Sequence, residues 1–98
     1  MAFRVDFTEL AAEDLESISK FIATDNPEAA RRICHRLYDV ALSLGANPFI
    51  GRITPEYRDA TIRDIAHGKY RIVYLIHEHR KRLEILRFWH GARGFLPD

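Results

Sequence analysis

Tyr70-Arg71-Ile72-Val73-Tyr74-Leu75-Ile76 is the stretch that decides the fold. It is dense in β-branched and aromatic residues, which pack well on a pleated surface, and so predicts a strand. On its amino side, Thr61 to Ala66 is a second strand candidate, separated from the first by His67-Gly68-Lys69. On its carboxyl side, the charged stretch Glu78 to Arg82 reads as a hairpin tip and Leu83 to Trp89 as the last strand. Gly91-Ala92-Arg93-Gly94 then opens an irregular tail ending at Asp98. These pieces form an antiparallel three-stranded meander. Its last two strands are nearly continuously apolar, so both faces of the sheet are expected to be covered along part of their length.

Upstream the periodicity changes from two to helical. Ala11, Leu15, Ile18 and Ile22 recur at helical spacing, widened by Leu10 and Phe21, with Glu13, Asp14, Glu16 and Lys20 on the polar face. Thr8 is the expected N-cap. Asp25-Asn26-Pro27-Glu28 stops this helix and starts another, because Asn26 can cap and proline at the first helical position gives up no hydrogen bond. The second helix buries Ala30, Ile33, Cys34, Leu37, Ala41 and Leu44, and Gly45 with Asn47-Pro48 supplies its stop. So short a link folds the two helices into an antiparallel hairpin. Arg4 to Phe7 alternates as a short first strand, and residues 48–60 read as loop. The fold class is therefore α+β: an N-terminal strand, a helix hairpin, then the meander, in one domain of residues 1–98.

Composition narrows the function classes. The 98 residues are 47% hydrophobic and 30% charged, as in an ordinary globular chain. One cysteine rules out a disulfide framework and fits a reducing compartment. The longest apolar run, Ile72 to Ile76, is far short of a membrane span, and Met1 to Asp6 lacks the plan of a signal peptide, so a cytoplasmic protein with no membrane partner is expected. The net charge of +1 conceals a split: two bases against seven acids through Ala30, and thirteen bases against seven acids thereafter. Such asymmetry marks either an anionic partner for the basic part or simply a solvated surface.

Phosphate loops, Cys-x-x-Cys, His-Glu-x-x-His and nucleophile elbows are missing from the sequence. Cys34 lies on an apolar helix stripe and reads as structural. His77-x-His79 is the only close histidine pair, with nothing to orient it, so neither a metal nor a cofactor is expected. Arg71 sits inside the strongest strand, on the face of Val73, Leu75 and His77. There it must either pair with an acid such as Asp64 or Glu84 or open onto a cleft. Arg63, Arg87, His90 and Arg93 can gather with it at one end of the sheet, an arrangement suited to phosphate or carboxylate recognition.

The first strand, the hairpin joined through Asp25-Asn26-Pro27, the Pro48…Gly51-Arg52 loop, Gly68-x-Tyr70-Arg71-Ile72-Val73-Tyr74 and His90-Gly91-x-Arg93 together resemble the RelE/ParE superfamily of bacterial type II toxins. The resemblance spans nearly the whole chain in order. It implies a toxin of a plasmid-stabilizing type, causing growth arrest and held in a hetero-oligomer by a small antitoxin that wraps it. Two targets are known in the superfamily: RelE-like members cleave mRNA on the ribosome, and ParE-like members are non-enzymatic inhibitors of DNA gyrase. By resemblance, a nuclease would use Arg71, His90 and Arg93 as its catalytic residues, with Glu56 as a further acid–base partner. The departures argue against that branch. Ile62-Arg63-Asp64-Ile65 replaces the expected lysines, and the tail Gly94-Phe95-Leu96-Pro97-Asp98 lacks the closing tyrosine. The hairpin and its Asn26-Pro27 link look ParE-like, implying DNA gyrase as target and a ParD-like antitoxin as partner, with the ribosome and mRNA as the alternative. The residues expected to face the target are Arg63, Arg71, Arg87, His90 and Arg93. Those expected to meet the antitoxin are Phe21, Tyr38, Phe49, Tyr57, Phe88, Trp89 and Phe95, since aromatics dominate interface energetics.

Overall fold

Thr8 and Asn26 start the two helices as expected. The Ala11 N–H donates to Thr8 Oγ1 at 3.1 Å, and the Ala29 N–H donates to Asn26 Oδ1 at 3.1 Å. A computed structural model describes residues 2–97 of the chain, so the outer limits of the 1–98 domain reading, Met1 and Asp98, lie outside the described residues. Strand β1 (Arg4–Phe7) leads into α1 (Glu9–Ala23) and α2 (Pro27–Ser43), followed by a 3₁₀ turn at Leu44–Ala46. Then come β2 (Arg52–Ile53), β3 (Ile62–His67), β4 (Tyr70–His77) and β5 (Arg82–His90), and a second 3₁₀ turn at Gly91–Arg93. The α+β architecture and the order strand, hairpin, meander hold.

One strand was not expected. Arg52–Ile53 pairs antiparallel with Asp64 and Arg63 and turns part of the 48–60 loop into the edge of a five-stranded sheet, ordered β1-β5-β4-β3-β2. Two exposed residues carry no alternation signal, so only the pairing reveals them. β1 lies parallel to β5, the one parallel pair among the described residues, while the other neighbours are antiparallel.

The helix hairpin covers one face of this sheet. Ala11, Leu37, Ala41 and Leu44 meet Ile72, Tyr74 and Ile76 of β4 and Leu83, Ile85 and Phe88 of β5 in the main core. The opposite face has a smaller cluster: Val73, Trp89 and the tail residue Leu96 are buried, flanked by Tyr57, Ile62 and Leu86. The apolar character of β4 and β5 on both faces is thus accounted for, and the second cover is the C-terminal tail.

A bulge in β5 sets which residues face where. Tyr74 pairs with Ile85 but Val73 pairs with Arg87, leaving Leu86 as an extra residue. The insertion lets Leu83, Ile85 and Phe88 all reach the helix side, although strict alternation would send Phe88 the other way. Gly45, expected as a helix stop, has another duty. A Cβ there would lie 2.5 Å from the Phe3 carbonyl oxygen, and the Phe3 N–H donates to the Gly45 carbonyl at 2.7 Å, so the missing side chain lets β1 dock. Gly68 does supply a left-handed turn residue, at φ +59°, which lets β3 and β4 join through only two residues.

Candidate functional site

Arg71 is held by acids on both sides. Nη1 donates to Glu56 Oε2 at 2.7 Å, and Nη2 donates to Glu56 Oε1 at 2.9 Å and to Asp64 Oδ2 at 2.5 Å. Arg52 Nε reaches the other Asp64 oxygen at 2.8 Å. The Arg71, Glu56 and Asp64 side chains are only 15%, 9% and 2% exposed, so this is a buried ion cluster rather than a surface bridge. Of the two acids expected for Arg71, Asp64 is a partner, whereas Glu84 pairs with His77 and Arg82 instead. Glu56, read from sequence as an acid–base residue, spends both oxygens on Arg71 and one also on the Leu96 N–H at 3.0 Å. The Arg71 hydrogen bonds hold its carboxyl down at about 2, below the usual 4.5, against the opposing effect of burial. A carboxylate so committed is a poor proton acceptor near neutrality.

A second pin lies where β1 runs out. β1 ends at Phe7, so the edge of β5 beyond Ile85 has no strand beside it. Asp14 of α1 fills the place. It accepts the Phe88 N–H at 3.0 Å and both Arg87 Nε, at 2.8 Å, and Arg87 Nη2, at 3.0 Å. Asp14 was expected on the solvent face of α1, yet it is only 10% exposed; the unpaired strand edge draws it inward. Arg87 and Arg93 also stack on Trp89, with guanidinium carbons 4.9 and 4.0 Å from its ring centre, while Trp89 Nε1 donates to the Gly94 carbonyl at 2.9 Å.

The expected convergence of arginines is partly realised. Register places Trp89 opposite Arg71, Arg87 opposite Val73 and His90 opposite Tyr70, which gathers Arg71, Arg87, His90 and Arg93 at one end of the sheet. Arg63 does not join them. It pairs with Tyr74 and so lies on the helix-side face, where its guanidinium sits 5.4 Å from the Phe49 ring centre. Arg71 and Arg87 are neutralised by their acids. Arg93 has no acid partner among the described residues, and His90 Nδ1 accepts the Ala92 N–H at 3.0 Å, which leaves Nε2 as the protonated nitrogen of the neutral ring. These two residues open onto a cleft of about 400 Å³ between α1 and the ends of β4 and β5, lined also by Ser17, Ile18, Phe21, Tyr70, Phe88 and the Arg87-paired Asp14. The cleft presents donors over an apolar floor.

Against this geometry the sequence matches one family. The model for ParE toxins of type II toxin-antitoxin systems, parDE, aligns with residues 5–95. The chain belongs to the ParE toxin family. Solved structures share its fold, three of them as follows. The chromosomal ParDE toxin-antitoxin system of P. aeruginosa matches at 18% identity and a TM-score of 0.74, over 91% of this chain and 96% of that one. The RelBE2 toxin-antitoxin complex of Mycobacterium tuberculosis matches at 25% identity and a TM-score of 0.71, over 92% and 99%. A conserved hypothetical protein of Helicobacter pylori matches at 14% and a TM-score of 0.54, over 92% and 96%. A search of curated proteins gives no match. The chain is thus a type II toxin of the RelE/ParE superfamily, on the ParE side.

The aromatics divide sharply in this ParE toxin. Phe21 and Phe95 are 81% and 85% exposed, and Tyr38 and Phe49 are half-exposed. Tyr57 is partly buried and donates to the Pro97 carbonyl at 2.8 Å. Phe88 and Trp89, expected at an antitoxin interface, are instead core residues, buried under the helices and under the tail respectively. Burial also pushes the Cys34 thiol up, consistent with a structural residue. His77 of the close histidine pair is bonded to Glu84 at 2.8 Å, and no three metal-ligating side chains gather among the described residues. No helix among them is long and apolar enough to cross a membrane.

Sequence reasoning missed Glu56 and Asp14 as the two pins, although the need of Arg71 for a counter-charge was a signal for the first. The Glu56 shift carries a prediction. Its folded value lies below the unfolded one, so its contribution is full above about pH 4.5 and is lost as pH falls towards about 2. Urea unfolding midpoints should drop across that window, and Glu56→Gln should flatten the drop. An equally steep acid limb in the variant would show that the Arg71 pair does not set it.

Proposed function

We propose that this ParE toxin acts in the cytoplasm by inhibiting DNA gyrase, cuts no RNA, and is neutralised by a ParD-like antitoxin, with residues 1–98 acting as one toxin domain. The observation that carries this reading is the state of Arg71. A nuclease would need that guanidinium on a scissile phosphate, yet three of its N–H bonds go to Glu56 and Asp64. The remaining acid–base set is thin: Glu56 is held at about 2, which leaves His90 alone of the two acid–base candidates the resemblance offered. The likeness to the ParDE system of P. aeruginosa is consistent with this choice. Under it, Arg93 and His90 face the target, and Phe21, Phe95, Tyr38 and Phe49 are the aromatics left for the antitoxin to cover.

The test is induction without antitoxin. DNA double-strand breaks and an SOS response should accompany growth arrest, and toxicity that survives Arg71→Ala and His90→Ala in folded protein would exclude the nuclease. Growth arrest with undamaged DNA and cuts inside ribosome-bound codons would overturn the gyrase reading in favour of mRNA cleavage.

A further inference from the structure

Arg63 is an arginine without an acid. Nε donates to the Ala60 carbonyl at 2.9 Å and Nη1 to the Gly51 carbonyl at 3.1 Å, and the guanidinium lies over the Phe49 ring. Neutral carbonyls and a ring fix its plane without cancelling its charge. No carboxylate lies within ion-pair distance of it among the described residues, and three of its N–H bonds stay unused. This contrasts with Arg71 and Arg87, which are matched acid for base.

The side chain lines a cleft of about 430 Å³ at the hairpin-tip end of the sheet, on the face opposite Arg71. Ile76 lies at its base, Phe49 is one wall, and Thr61, His79 and Arg80 stand around it, with Glu78 the one acid. Arg80 likewise has no acid partner among the described residues, and Phe49 is half-exposed. A fixed planar cation, a second exposed cation and a half-exposed aromatic ring in one concavity match a phosphate beside a flat ring.

We propose that this cleft binds a nucleotide unit, its phosphate on Arg63 and Arg80 and its base against Phe49, either as a free nucleotide or within a single strand. The site lies away from Arg93 and His90 and stands whichever target the toxin has.

The test is a fluorescence anisotropy titration of the full chain with a short fluorescein-labelled oligothymidylate, without gyrase or ribosomes. Binding should weaken with salt at a log–log slope of roughly 0.7 per contacted phosphate. Arg80→Ala, an exposed change that spares the fold, and Arg63→Ala should each weaken binding about tenfold. Phe49→Leu should weaken it with little change in the salt slope, and Arg32→Ala on the outer face of α2 should leave it unchanged. Displacement of the strand by adenosine monophosphate assigns the site to a free nucleotide; a strand that resists displacement assigns it to the polymer. Failure of both probes to bind, or binding by Arg63→Ala and Arg80→Ala equal to the parent, overturns the proposal.

Discussion

Arg71→Ala should lower the unfolding free energy by about 3–5 kcal/mol, because it strips Glu56 of its only cation among the described residues and leaves the buried Asp64 beside it with Arg52 alone. In a chain of this size each kcal/mol moves the melting temperature by roughly 4–8 °C, so a fall of more than about 10 °C is expected in a thermal scan. The loss belongs to the stranded charges rather than to the salt bridge itself. Arg71→Met combined with Glu56→Gln and Asp64→Asn should therefore recover much of it. A single-variant loss below about 1 kcal/mol would place these ions in the class of solvated surface pairs. The point bears on any toxicity assay: a silent Arg71 variant has to be checked for folding before its arginine is given a role at the target.

Asp14→Ala is the second large effect. It strands the Arg87 guanidinium, 16% exposed, and leaves the Phe88 N–H on the uncovered edge of β5 without its acceptor. Loss of a buried ion partner costs about 3–5 kcal/mol, and an orphaned backbone donor roughly 1–3 kcal/mol, so urea unfolding should show a loss of at least about 3 kcal/mol. Asp14→Asn keeps an oxygen for Phe88 and should lose less. Because the two residues share one network, the loss in Asp14→Ala with Arg87→Ala should fall well short of the sum of the single losses. Strict additivity would mean that the two side chains do not act on each other.

The elements themselves were legible because each carries a local signal: Thr8 and Asn26 as caps, Pro27 at the helix start, and the dense β-formers of 70–76. What escaped was set between elements. β2 is two exposed residues recognisable only by their partners on β3. The bulge at Leu86 leaves no mark in composition, yet it decides that Phe88 joins the core. The placement of Arg63 was within reach. A two-residue turn between His67 and Tyr70 fixes the register, which sets Arg63 across from Tyr74 rather than Arg71. Asp14 could not be read this way. Helical periodicity says which face a residue is on, but not that a neighbouring strand stops early and leaves a donor unmet.

The parallel pairing of the first strand with the last has a temporal consequence. Thr8 at the end of β1 bonds to the Ile85 carbonyl, 77 residues further along the chain. Closing so long a loop costs entropy before any contact returns it, and folds dominated by such distant pairings form slowly. During synthesis, Arg4–Phe7 emerges early and has no partner until β5 has been made. The hairpin waits with one side uncovered over the same interval, and Trp89 stays uncovered until Leu96 has followed it. Maturation of this toxin therefore waits on β5, and a polypeptide truncated before it lacks the strand that joins β1 to the meander.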